Sequence, residues 1–316
     1  MSVLKYIIIL GAAMNLAAGA YAQPASGVNA TVTDSKGNKT IVQGVRYQKK
    51  AWGQSYYINV ESQHKFVWPY VPIDTGDFIV KLPLDAIRTF TVTRGTRSGP
   101  LGDQTYRITA LTAGGQTSFS GEMTVITAGS RSDPNRLGGF EDDDVFLGTT
   151  DFGTFTISVA NVRSIVFIPS PTPSAKTNKS RTPTTRIRGS LLLADGSRLQ
   201  LSNIFPVTNT YNHNDVAQGE EPVAEFDLYR DGGSDTKIRP SSLKAIRFLS
   251  SCPGNTNLGN QRVIEVESVS GQKLCGNTTK AMTSAFGIDG IAQFADAEFE
   301  IIVPFSATAK ELDILH

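Results

Sequence analysis

Histidine, cysteine and tryptophan are scarce in this chain, and their scarcity removes much catalytic chemistry before any motif is sought. There are 3 histidines, His64, His213 and His316, and no two stand at metal-ligand spacing. Histidine is the commonest general acid or base, so an enzyme built on it would need His64 or His213 matched to a partner that nothing marks. H-E-x-x-H, G-x-S-x-G and the phosphate-cradling P-loop are all absent. The 2 cysteines, Cys252 and Cys275, stand too far apart for a C-x-x-C redox motif. In an oxidising compartment they are expected to form one structural disulfide. The balance therefore leans away from an enzyme. Paired carboxylates for glycoside hydrolysis stay open, because such pairs meet in space and leave no spacing signal.

Net charge is missing too. Without Lys5, the 30 basic residues become 29, against 29 acidic ones. A neutral balance carries no electrostatic footprint for nucleic acid and no polybasic stripe for an anionic membrane. Long apolar runs are absent beyond the first residues, where Lys5 precedes an apolar stretch from Tyr6 to Ala18 and "AYA" at 20–22. This is the three-part pattern of a secretory signal peptide over 1–22, with Gln23 as the first mature residue. The apolar stretch is shorter than the ~20 residues of a spanning helix. The mature chain is expected to be exported, periplasmic or secreted, with no transmembrane span.

Extended helical periodicity is also lacking. The best candidate, "TKAMTSAF" at 279–286, is stopped by Gly287. What the chain has instead is repetition. "PLDAIRTFTV" at 83–92 returns as "SVANVRSIVF" at 158–167 and "RPSSLKAIRF" at 239–248, and more loosely as "FSATAKELDI" at 305–314. In the first phrase Leu84 and Ile87 are three apart, then Phe90 and Val92 two apart, which predicts one helical turn feeding a strand. Upstream of each phrase, two alternating runs flank a turn glycine: Gly37, Gly115, Gly196 or Gly271. A glycine there would supply the positive φ of a hairpin turn. Each unit reads as strand, glycine turn, strand, variable insert, strand, short turn, strand. The expected fold is all-β, with four tandem antiparallel units of small-barrel or meander type.

"PSPTPSAKTNKSRTPTT" at 169–185 has no large apolar side chain and reads as an extended linker. It groups the units as an N-terminal lobe, 23–168, and a C-terminal lobe, 186–316. "DGSRLQLSNI" and "FTISVANVRSIVF" resemble the pattern DG-x-x-L-x-G followed by I-P-x-x-x-I-x-x-I-x-F of exported bacterial tandem β-repeat proteins. More distantly, the unit is similar to Sm-like small β-barrels, and the resemblance implies a small-barrel shape. It does not bring RNA binding with it: "TRG" at 93–95 follows the last strand of the unit, whereas the Arg-Gly of the Sm family precedes it.

Two inserts stand out. The first, 47–72, holds both tryptophans, Trp52 and Trp68, with Tyr47, Tyr56, Tyr57, Phe66 and Tyr70. Planar faces with polar edges suit sugar rings or a protein hot spot, while the plainer reading has these aromatics fill the core of a lobe. Trp52, Tyr56, Tyr57, Trp68 and Tyr70 are the candidate ligand-binding residues. The second, "GGFEDDDVF" at 138–146, offers acidic oxygens of the kind calcium takes, with Asp142 and Asp144 as the candidate ligands. It lacks the spaced D-x-[DN]-x-[DN]-G loop, so no cofactor is otherwise implied. Basic residues recur at one position of the repeat, Arg88, Arg163, Lys244 and Lys310. The simplest reading places them in solvent between buried neighbours. The functional expectation is a non-enzymatic binding or envelope scaffold whose partner is a protein or glycan of the cell envelope. The alternative is a carbohydrate-binding module or a glycan-active enzyme.

Overall fold

Short alternating runs, broken by turn signals, make the chain a succession of strands. The computed structural model describes residues 28–51, 64–68, 70–98, 103–125, 144–168, 185–211, 217–229, 236–252, 263–278 and 287–315. Among them are 22 strands and three short 3-10 helices, and the fold is all-β. Every ladder is antiparallel. Residues 1–22, with the expected signal peptide, and most of the expected linker at 169–185 lie outside the described residues.

The order of elements recurs along the chain. The first stretch runs β1 (Val28–Asp34), β2 (Lys39–Ala51), β3 (His64–Trp68), β4 (Tyr70–Asp74) and β5 (Ile79–Pro83), then a 3-10 turn over Leu84–Ala86 and β6 (Ile87–Ser98). The second runs β7 (Asp103–Thr112), β8 (Ser118–Val125), β9 (Val145–Thr150) and β10 (Gly153–Ser158), then a 3-10 turn over Val159–Asn161 and β11 (Val162–Ile168). The third runs β12 (Arg188–Leu192), β13 (Arg198–Tyr211), β14 (Ala217–Pro222), β15 (Phe226–Leu228) and β16 (Thr236–Ile238), then a 3-10 turn over Pro240–Ser242 and β17 (Leu243–Leu249). The last runs β18 (Val263–Ser268), β19 (Lys273–Gly276), β20 (Gly287–Gln293), β21 (Glu298–Pro304) and β22 (Glu311–Leu315).

The predicted helical turn before each closing strand is therefore present in three places. It works as a plug: Leu84, Val159 and Pro240 are buried at its start, and Ile87, Val162 and Leu243 just after it. The fourth phrase makes a plain turn instead, with Ala307 N–H donating to Pro304 O at 2.8 Å and Phe305 buried. Arg88, Arg163, Lys244 and Lys310 are all exposed. The residue before each of them, Ile87, Val162, Leu243 or Ala309, is buried, which turns the basic side chain to the opposite face. Gly37, Gly115, Gly196 and Gly271 adopt φ of 91°, 75°, 92° and 84°, the left-handed conformation that the hairpin turns demand.

Two large sheets result. In the first the strand order is β10-β9-β2-β1-β11-β6-β7-β8, with β3 also on β2. In the second it is β19-β18-β17-β22-β12-β13-β20-β21-β5-β4, with β14 also on β13, while β15 and β16 form a separate ribbon. The second sheet thus contains β4 and β5, which lie before residue 169 in sequence. The join is the β5·β21 ladder, where Val80 faces Ile301, Lys81 faces Glu300 and Ile79 faces Ile302. One buried apolar cluster runs from Ala30 on β1 to Ile314 on β22 and draws on both sides of the 169–185 segment.

The two turns at this join are held alike. Each is the tip of the hairpin that feeds the ladder, closed by Thr75 N–H to Phe78 O and by Phe294 N–H to Ala297 O, both at 2.9 Å. The third residue of each turn is an aspartate. Asp77 accepts from Thr308 Oγ1 at 2.7 Å and from Ala194 N at 3.3 Å. Asp296 accepts from Thr112 and Thr117 hydroxyls and from Gln116 N. Phe78, Phe119, Phe294 and Phe299 close around the same place, with centroids 4.8 Å apart for Phe119 and Phe294. The disulfide Cys252–Cys275 is formed, tying the segment after β17 to β19 with Cα atoms 5.7 Å apart.

Candidate functional site

Period-two alternation gives each strand two faces, and on β5 both are buried. Val80 and Leu82 point into the main core, while Ile79 and Lys81 point the other way. On that second face Ile79, Phe205, Val207 and Ile302 form a small apolar cluster. Lys81 sits beside it, 7% exposed, with Nζ 3.1 Å from Asp289 Oδ2 and 2.7 Å from Glu300 Oε1. Strand register sets the arrangement: Glu300 is opposite Lys81, and Asp289 is opposite Ile302 on the neighbouring strand.

The group is a cation held between two carboxylates. Burial pushes the Asp289 carboxyl well above its ordinary range, and Glu300 adds to the rise; Lys81 opposes it. Asp289 Oδ1 has no hydrogen-bond partner among the described residues. Asp289 is 3% exposed at the side chain and Glu300 32%, so Glu300 alone of the two carboxylates reaches solvent. The two carboxylates are the kind of pair that spacing in sequence hides. Lys81 compensates their charge, as buried ions require.

Tyr70, half-buried at the start of β4, is the described member of the aromatic candidates, with its ring centroid 5.6 Å from Lys81 Nζ. Trp52, Tyr56 and Tyr57 lie outside the described residues. Trp68 closes β3 with its Cα opposite that of Tyr47, and its side chain lies outside the described set. Ala51 pairs with His64, so residues 52–63 connect two hydrogen-bonded strands. Tyr47 itself is fully buried and belongs to the core, its ring 5.7 Å from that of Phe146.

The acidic insert divides in the same way. Asp142 lies outside the described residues. Asp144 is fully buried, and its Oδ2 accepts from the Tyr47 hydroxyl at 2.7 Å. Its carboxylate therefore serves a buried phenol inside the core. Among the described residues no group of three or more His, Cys, Asp or Glu is placed to hold a metal ion. A denser charge cluster lies on the outer face of β17, β18 and β22. There Arg247 contacts Glu265, Glu267 and Glu311, each at 2.9 Å. Lys244 contacts Glu267 at 2.9 Å, and the Lys244 and Arg247 hydrogen bonds hold the Glu267 carboxyl down at about 2.

Sequence reasoning missed Lys81, Asp289 and Glu300. In "IVKLP" a lysine inside an alternating strand signals a solvated face, and only the pairing of β5 with β21 reverses that reading. Comparison with family models, with curated proteins and with solved structures gives no match. Among the described residues no helix is long and apolar enough to cross a membrane.

Proposed function

We propose that this chain is an exported, non-enzymatic binding or envelope scaffold, periplasmic or secreted after cleavage before Gln23. In this reading four copies of one β-unit build the frame, and the aromatic insert of the first copy meets a protein or glycan of the cell envelope. One observation carries the proposal: residues 52–63, which hold Trp52, Tyr56 and Tyr57, join the paired strands β2 and β3, and β4 then passes into the second sheet. The Tyr47 end is laddered to β3 in the first sheet, and Tyr70 opens the hairpin spliced into the second. A connection mounted on such a frame is the usual place for recognition. Trp52, Tyr56 and Tyr57 then supply stacking faces, with Trp68 and Tyr70 at the base.

The test is binding of the mature chain to a glycan array and to immobilised envelope fractions, comparing wild type with Trp52→Ala/Tyr56→Ala/Tyr57→Ala. Loss of binding at unchanged melting temperature supports the proposal. Equal binding by the variant removes the insert from the interface.

The juxtaposition of Asp289 and Glu300 favours a second reading, a glycan-active enzyme. Release of reducing sugar from a polysaccharide panel, abolished by Glu300→Gln, would favour that reading over the scaffold.

A further inference from the structure

The β5·β21 ladder has a counterpart that the chain leaves unmade. β5, β10, β16 and β21 occupy the same place in their stretches: each is the second strand of a hairpin and directly precedes the closing turn and strand. Two of the four, β5 and β21, pair with each other. The other two, β10 and β16, each pair with their own hairpin partner, β9 and β15, and among the described residues have no strand on the opposite edge.

The consequence shows at matching positions. Counting back from the closing turn, Val80 corresponds to Phe155, Thr236 and Ile301, and Leu82 to Ile157, Ile238 and Val303. In the β5·β21 ladder Val80, Leu82, Ile301 and Val303 are all fully buried. On β10 and β16 Phe155, Ile157 and Thr236 stay half-open while Ile238 is buried, and Phe152 at the β9–β10 turn is fully exposed. Lys237, whose Nζ lies 3.1 Å from Glu225 Oε1 of the same chain, takes the place of Lys81, on a strand where an exposed lysine would otherwise read as an edge guard. Lys81, though, pairs across its ladder with Glu300, so a lysine at this position is compatible with a ladder.

We propose that a second copy of this chain docks here, β10 of one copy pairing antiparallel with β16 of the other and reproducing the β5·β21 ladder between molecules. The register follows from that template: Thr154 opposite Lys237 and Phe155 opposite Thr236. Each copy carries one of each edge, so two copies related by a twofold axis make the contact twice and close. Strand equivalence carries this contact independently of the aromatic insert. Binding by Trp52 and association through β10 can therefore fail separately.

The experiment uses the full mature chain. Light scattering across a concentration series is expected to show reversible association. Thr154→Lys, which sets two cations opposite each other, is expected to weaken it about threefold or more per ladder. Thr154 and Lys237 are both exposed, so the fold should be untouched. Thr154→Cys combined with Lys237→Cys is expected to give a covalent link between chains under mild oxidation. Thr149→Cys with Lys237→Cys, one strand inward, is expected to give none. A monomer at every concentration, association indifferent to Thr154→Lys, or a bridge formed within a single chain would each overturn the proposal.

Discussion

Lys81 on β5 donates to Glu300 on β21 at 2.7 Å, across 219 positions of sequence. That contact sits in the ladder which carries a hairpin from the N-terminal side of the chain into the sheet of the C-terminal side. Lys81→Ala leaves Asp289 and Glu300 close together without their cation. Breaking a buried pair of this kind costs about 3–5 kcal/mol. The expected outcome in urea is a markedly lower midpoint for Lys81→Ala. Lys81→Met with Asp289→Leu and Glu300→Gln should recover most of the loss.

Asp296 predicts an acid limb. Hydrogen bonds from Thr112 and Thr117 take its carboxyl from an ordinary 3.8 down to about 2. A lowered folded-state value means the stabilisation is present above about pH 4 and disappears as the pH falls towards 2. Asp296→Asn should therefore be less stable than wild type at neutral pH and converge with it near pH 2. Urea midpoints at several pH values read this directly, and two curves that stay parallel down to pH 2 would show that folding does not lower the Asp296 carboxyl.

These two sites mark what the sequence makes legible. The turn glycines and the helical plug before β6, β11 and β17 were readable because a positive φ and a change of spacing are local. The disulfide was readable because a chain with two cysteines offers each only one partner. The β5·β21 ladder was not, since nothing in "IVKLP" or "EFEIIVP" names its neighbour. Without the ladder, Lys81 reads as solvated and the Asp289–Glu300 pair is invisible. The contact of Tyr47 with Asp144 was hidden for a related reason: a tyrosine in an aromatic insert and an aspartate in an acidic run satisfy each other inside the core across 97 positions of sequence.

Asn203 gives a backbone prediction. It is the described non-glycine residue with positive φ, 56°, and it lies where the β13·β20 register shifts. Gly44 holds the matching place in β2, φ 60°, seven residues past its turn glycine as Asn203 is past Gly196. Asn203 Oδ1 also accepts from Thr185 N at 2.6 Å. Asn203→Ala is expected to cost about 1–2 kcal/mol from backbone strain alone, and Asn203→Gly less. Thermal unfolding of both variants checks the order.

The disulfide should matter to the end of the chain that carries it. It closes a span of 23 residues. On the chain-entropy account that is worth about 3 kcal/mol. Cys252→Ser/Cys275→Ser is expected to melt lower and to expose β18 and β19 first to hydrogen exchange. Uniform exchange across both sheets would show that the bond acts on the whole fold.

The measurement closest to the central claim is equilibrium binding of residues 23–316 and their Trp52→Ala/Tyr56→Ala/Tyr57→Ala variant to one envelope ligand, glycan or protein, found with wild type. The account predicts at least a tenfold loss of affinity with an unchanged melting temperature. Unchanged affinity, or a variant that unfolds, would contradict it.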